Sequence, residues 1–199
     1  DYAFEVKGLE MASCRVQASK GEAEVHAVSP RGAEHLRPYA SVNDAFGYLD
    51  EELGITEKQN PLEDGNKAWL KPVQELSMAT NLLGACLFAS ICLAVKGSTW
   101  ASLYTAVTGR MLSQKDLLKA AERVINMERM INFRLGFDRK EDKLPKRLLS
   151  EPAADGVGEG QVVNLDEALD SYYESMGWDI TTGIPKSEKL EELNLGWMI

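Results

Sequence analysis

Apolar residues recur at helical spacing along most of the chain, and the breaks in that rhythm divide it into segments. Trp69, Val73, Leu76 and Thr80 form one stripe of a helix predicted over residues 68–80, with Pro72 in its first turn or kinking it. Tyr39, Val42, Phe46, Leu49 and Leu53 predict a second helix over residues 40–53, stopped by Gly54. Leu117, Ala121, Val124 and Ile131 share one face of a long helix that opens at a Ser113 to Asp116 capping box and closes at Gly136. Shorter helices are expected over residues 99–108, with Ser98 as N-cap and Gly109 at the end, and over residues 165–176, between Asn164 and Gly177. A last one follows Pro185-Lys186-Ser187 and turns Leu190, Leu193 and Leu195 inward. Residues 2–6 alternate weakly, as a short strand or an irregular lead-in. Residues 56–66 and 151–161 carry Pro and Gly among polar residues and read as a surface loop and a mobile loop. The expected fold is all-α, multihelical, in two abutting layers, with residues 1–60 ending one helical domain and residues 61–199 forming another.

The most apolar run, residues 85–95, is far shorter than the roughly 20 residues of a membrane-spanning helix. It begins beside Cys86, so the sulfur is expected in a dry interior among Leu82, Leu83, Leu87, Phe88 and Ile91. By itself such a cysteine reads as a small hydrophobe. Gly84 before it permits a sharp turn or a close backbone approach. Cys92, six residues on, points elsewhere on a helix and reads as core. Cys14 is a free thiol without an assigned role.

A hydrophobic content of 44% with 27% charged residues is that of an ordinary soluble protein. The formal charge of −9, with no basic patch, argues against nucleic acid and anionic membrane surfaces. Three cysteines are too few for a disulfide framework, so a reducing, cytoplasmic setting is expected. No Gly-rich phosphate loop, Cys-x-x-Cys pair, His-Glu-x-x-His or Ser-His-Asp constellation is present. Residues 137–147 are dense in charge, which usually marks a solvated face. Tyr172, Tyr173 and Trp178 read as packing aromatics.

Three stretches together resemble one family. Asn81-Leu82-Leu83-Gly84-Ala85-Cys86-Leu87-Phe88 is similar to the Asp-Ser-Leu-Gly-Leu-Cys-x-Phe box of the tungsten-containing aldehyde ferredoxin oxidoreductases. Residues 127–147, with Glu128-Arg129, Asn132, Arg134, Gly136, Arg139, Asp142 and Leu144-Pro145-Lys146-Arg147, are similar to that family's Glu-Arg-x-x-Asn-x-Arg-x-Gly signature and its Leu-Pro-x-Arg ending. Tyr172-Tyr173-Glu174-Ser175-Met176-Gly177-Trp178-Asp179 with Gly183-Ile184-Pro185 also matches. Arg31-Gly32-Ala33-Glu34-His35-Leu36-Arg37 resembles the family's Arg-Gly-x-x-His-Leu segment.

The resemblance implies a tungsten (or molybdenum) bis-pterin and a [4Fe-4S] cluster, oxidising a small aldehyde to a carboxylic acid with electrons leaving to ferredoxin or another electron-transfer subunit. It implies Cys86 as the fourth cluster ligand, His35 as proton donor or acceptor, Arg37 as a pterin contact, and Asn81, Leu82 and Ala85 as pterin lining. The other three cluster cysteines would lie upstream, since the resemblance covers only the C-terminal part of the family's chains. The chain opens at Asp1 rather than methionine, so a fragment of a longer catalytic subunit, itself a possible homo-oligomer, is expected. Residues 137–147 would then connect one helical layer to another. Residues 13–16, Ser-Cys-Arg-Val, replace the family's Tyr-Asp-Pro-Arg. Asn81 replaces the family's aspartate and accepts hydrogen bonds more weakly, though it can also donate. It leaves open a tungsten reductase acting on aromatic acyl-CoA thioesters, or a metal-free helical homologue with a structural role. Without the resemblance, His35 would read as a partly exposed histidine on a helix face.

Overall fold

A computed structural model describes residues 3–64, 67–91 and 93–199. The architecture is mostly helical, as expected. A two-residue hairpin opens it: β1 (Glu5–Val6) pairs antiparallel with β2 (Leu9–Glu10), Val6 facing Leu9. Lys7 and Gly8 make the turn with φ of 50° and 80°, the left-handed pair that matches hairpin twist. A 3-10 turn at Val16–Ala18 leads into α1 (Lys20–Val28), a helix with every residue buried.

The helix expected over residues 40–53 is broken. Only α2 (Ser41–Asp44) forms, followed by a tight turn at Gly47 (φ 63°) and a 3-10 turn at Glu51–Leu53. Asp44 accepts from the Ser19 hydroxyl and the Gly21 amide, both 2.8 Å, which ties α2 to the start of α1. The chain then folds back through the Asp50–Ile55 bridge, leaving Phe46 and Leu49 exposed. Local polar bonds thus outweigh the apolar periodicity. Gly54, in the left-handed region, ends this 3-10 turn and not the long helix it was expected to stop.

The helix α3 (Leu70–Leu82) buries Trp69, Val73, Leu76 and Thr80 as predicted, and packs most extensively on α6 (Gln114–Arg134). Between them lie α4 (Leu87–Ile91) and α5 (Gly97–Thr108). The predicted N-cap of α5 is two residues off: Lys96 is the cap, and the Ser98 hydroxyl donates to Glu52 at 2.7 Å. Ser113 caps α6 as expected, its Oγ accepting from the Asp116 amide at 3.1 Å. The buried stripe of α6 runs through Leu117, Ala121, Ile125, Arg129 and Met130, so Ile131, expected inside, is 48% exposed.

In the charged segment over residues 137–147, Lys140, Lys143, Lys146 and Arg147 are exposed, as a solvated face requires, but Asp142 turns inward. Asp142, fully buried, takes ion pairs from Lys7 at 2.7 Å and Arg129 at 2.8 Å, and accepts from the Tyr173 hydroxyl. After α7 (Lys146–Ser150), α8 (Leu165–Met176) occupies its predicted bounds, although Asn164 makes no capping bond and its side chain instead donates to Glu167. Tyr172, Tyr173 and Trp178 pack against one another in the main core. In α9 (Ser187–Glu192) and just beyond, Leu190, Leu193 and Leu195 close a smaller cluster with Met130 and Met198.

Candidate functional site

The site grows out of the way α3 ends. The Gly84 amide bonds the Asn81 carbonyl at 3.0 Å and the Ala85 amide bonds that of Thr80 at 3.1 Å, so the chain reverses with Gly84 at φ 67°. A side chain at Gly84 would meet nothing within 4 Å; glycine is required there by backbone handedness, not by a close approach within the described residues. Cys86 follows at once, ahead of α4.

Cys86 is a free, exposed thiol, not the interior one expected. Leu82, Phe88 and Leu93 beside it are also exposed, at 46%, 52% and 75%. A run of apolar residues this long has two sides, and α4 is too short and too near the surface to bury both. Only the side carrying Ser90 turns into the core. Cys92 lies outside the described residues. Asn81 and Ala85 are half-buried, so Asn81, Leu82, Ala85 and Cys86 follow one continuous edge at the end of α3.

His35 sits in the turns between α1 and α2, half-buried, and not on a helix face. Its ring lies 5.8 Å from that of Tyr39, which meets Phe88 edge-on at 6.0 Å. The fold thereby brings the His35 segment to the Cys86 segment through a single intervening aromatic ring. On its other side His35 lies 6.2 Å from His26, which is fully buried, with Nε2 3.7 Å from the Cys14 sulfur. Burial, and then the neighbouring His35, push His26 down to about 4, while burial pushes the Cys14 thiol up to about 11. The Cys14–His26 pair is therefore uncharged at neutral pH.

Arg37 is held by Glu128 of α6, Nη1 donating to Oε1 at 3.0 Å. Burial raises the Glu128 carboxyl and Arg37 opposes that rise. Asn132, one turn further, donates to the Pro30 carbonyl at 2.8 Å. The 29–37 segment is thus fastened to α6 at both ends. Glu128 is not among the site residues the sequence points to; its place in the Glu-Arg-x-x-Asn signature is the available signal.

An open cleft of about 580 Å³, walled by Phe4, Cys14, Arg15, Arg147 and Glu151, includes none of His35, Arg37 and Cys86. Among the described residues no group of three or more His, Cys, Asp or Glu side chains could hold a metal ion. Cys86 therefore belongs to no such group among the described residues.

The family model described as aldehyde ferredoxin oxidoreductase, domains 2 and 3, matches residues 1–195. The chain belongs to the aldehyde ferredoxin oxidoreductase family. It is 33% identical over 198 residues to the tungsten-containing aldehyde ferredoxin oxidoreductase of Thermococcus kodakarensis and 34% identical to that of Pyrococcus abyssi. The Pyrococcus furiosus enzyme of the same name is 33% identical. In each case the match takes in 98% of this chain and 31% of the relative. The chain thus spans about a third of the length of these oxidoreductases, and the helical architecture described above is that of this C-terminal portion. No helix among the described residues is long and apolar enough to cross a membrane.

Proposed function

We propose that this chain is the C-terminal part of a tungsten (or molybdenum) bis-pterin oxidoreductase that oxidises aldehydes to carboxylic acids and passes electrons through a [4Fe-4S] cluster to ferredoxin. The observation that carries the reading is the outward-facing Cys86 thiol, set in an exposed apolar edge one aromatic ring away from His35. A cluster of this kind takes four cysteine thiolates. Cys86 fits one of those places: it is free, accessible and fixed by a turn, and three further thiolates would come from the preceding part of the subunit.

The bis-pterin metal centre, when bound, supplies the two-electron oxidation of the carbonyl carbon with oxygen from water. The chain's own residues bind, orient and move protons. Conversion of an aldehyde and water to an acid releases two protons with the two electrons, and His35 is the group suited to accept one, since imidazole exchanges protons near neutrality. The Tyr39 ring holds the imidazole on one face. Arg37, steadied by Glu128, offers guanidinium donors to the pterin edge, while Asn81, Leu82 and Ala85 line it. Arg139 and Arg147, in the charged segment an acidic ferredoxin could approach, are paired with Asp170 and Glu151. They therefore offer little net attraction.

A second reading, a metal-free structural homologue, draws on Asn81 in place of an aspartate and on the Glu128 carboxylate already occupying Arg37. Metal analysis of the full-length protein separates the two. Tungsten or molybdenum with about four irons per subunit is expected, and the absence of both metals supports the structural homologue. Cys86→Ala should lose cluster absorbance and iron; unchanged iron in that variant removes Cys86 from the ligand set. Aldehyde-dependent reduction of a low-potential dye, with no oxidation of the reduced dye by aromatic acyl-CoA thioesters, assigns the substrate class.

A further inference from the structure

The short helix that follows Cys86 is fastened from behind by a chain of three buried or half-buried side chains from three different helices. Ser90, with no exposed surface, lies 2.5 Å from Thr80 Oγ1 of α3 and accepts from the Trp100 indole N–H of α5 at 2.6 Å. The Thr80 hydroxyl also lies 2.8 Å from the Leu76 carbonyl. The protons can be placed by elimination. The indole nitrogen can only donate and the Leu76 carbonyl can only accept. Thr80 therefore gives its proton to Leu76, Ser90 gives its own to Thr80, and Trp100 gives to Ser90. Every hydroxyl in the line donates once and accepts once, with one polarity from α5 through α4 to α3.

This line crosses the segment whose outer side carries Cys86 and Phe88. Two backbone bonds, from Gly84 and Ala85 to the end of α3, set where the segment starts, and the Ser90 junction sets how α4 lies behind it. Apolar contacts alone would let so short a helix roll, because they have no preferred direction. The hydrogen bonds do not tolerate that rotation.

We propose that Ser90, with Thr80 as its acceptor, is a positioning residue for Cys86: it fixes the orientation in which the thiolate is presented to the iron–sulfur cluster. This rests on the reading of Cys86 as a cluster ligand. The site is a positioning one because neither hydroxyl reaches the thiol or the exposed edge.

The test uses the full-length protein with its cofactors. Ser90→Ala removes the central link, Thr80→Val removes the acceptor while keeping the shape, and Thr80→Ser restores it. Iron release to a chelator, the electron paramagnetic resonance signal of the reduced cluster and amide exchange over residues 86–91 are measured, alongside the unfolding midpoint. Ser90→Ala and Thr80→Val should release iron about tenfold faster and lose about tenfold in amide protection, the factor that the net worth of one hydrogen bond, ~1.4 kcal/mol, corresponds to. Their cluster signal should be altered, and Thr80→Ser should match the wild type in all three. A lowered unfolding midpoint with wild-type iron release and an unchanged cluster signal overturns the proposal, leaving Ser90 as ordinary packing. Cys86→Ala run in parallel keeps the two ideas apart: full iron in that variant overturns the ligand reading itself, whatever Ser90 does.

Discussion

At the scale of single residues, the least expected feature is the set of ionisable groups enclosed on α1. Glu22, Glu24 and His26 are all buried, and the Glu24 Oε2 and His26 Nδ1 atoms lack hydrogen-bond partners among the described residues. Burial pushes both glutamates up to about 8 and His26 down to about 4. The two kinds of group act on stability in opposite directions. Between the ordinary carboxylate range and about 8, each glutamate is ionised in the unfolded chain and protonated in the folded one, so folding is weakened as pH rises, by ~1.4 kcal/mol per pH unit per group. His26 weakens folding as pH falls from its ordinary value near 6.5 towards 4, because the unfolded chain takes up the proton first. Near pH 7 the glutamates prevail. Glu24→Gln should therefore raise the denaturant midpoint of the full-length protein at pH 8, leave it almost unchanged at pH 4.5, and make the slope between pH 7 and 8 shallower. A slope equal to that of the wild type would mean that Glu24 ionises freely in the folded state.

At the scale of elements, helices with a one-sided apolar pattern were legible, and those without one were not. The bounds of α8, closed by Gly177, and the Ser113-capped start of α6 are legible because each helix has one dry face and one wet one. Ser113→Ala should cost about 1 kcal/mol, seen as a lower denaturant midpoint at unchanged slope. By contrast α1 was not legible. A helix buried all round shows no stripe, and Lys20, Glu22, Glu24 and His26 look in sequence like a solvated run. Residues 40–53 failed in the opposite way: the spacing of Val42, Phe46 and Leu49 suits a helix, yet Asp44 binds the start of α1 and Gly47 turns the chain. Propensity is local: Asp44 is held by Gly21, 23 residues away, and α1 is covered by α2 and by α8 from the far end of the chain.

For the molecule as a whole, Asp142 is the fastening point. It joins the opening hairpin through Lys7, the long helix through Arg129 and α8 through Tyr173. Replacing one member strands buried charge, so Asp142→Asn should cost ~3–5 kcal/mol, whereas Lys7→Met with Arg129→Met and Asp142→Leu together should recover much of the loss. Chemical unfolding of the three proteins, wild type included, measures both steps. If Asp142→Asn unfolds like the wild type, the hub carries no net stability.

Sequence alone determined the helical class, the ends of α6 and α8, and the motifs around His35, Cys86 and Glu128 that carry the family likeness, because caps, glycine turns and motif residues act over a few positions. Only the tertiary structure decided that Cys86 faces outward, that Tyr39 and Phe88 bring it towards His35, and that Glu128 holds Arg37. Composition reports how apolar a segment is. Which of its sides is covered depends on the elements packed behind it, and those come from distant parts of the chain.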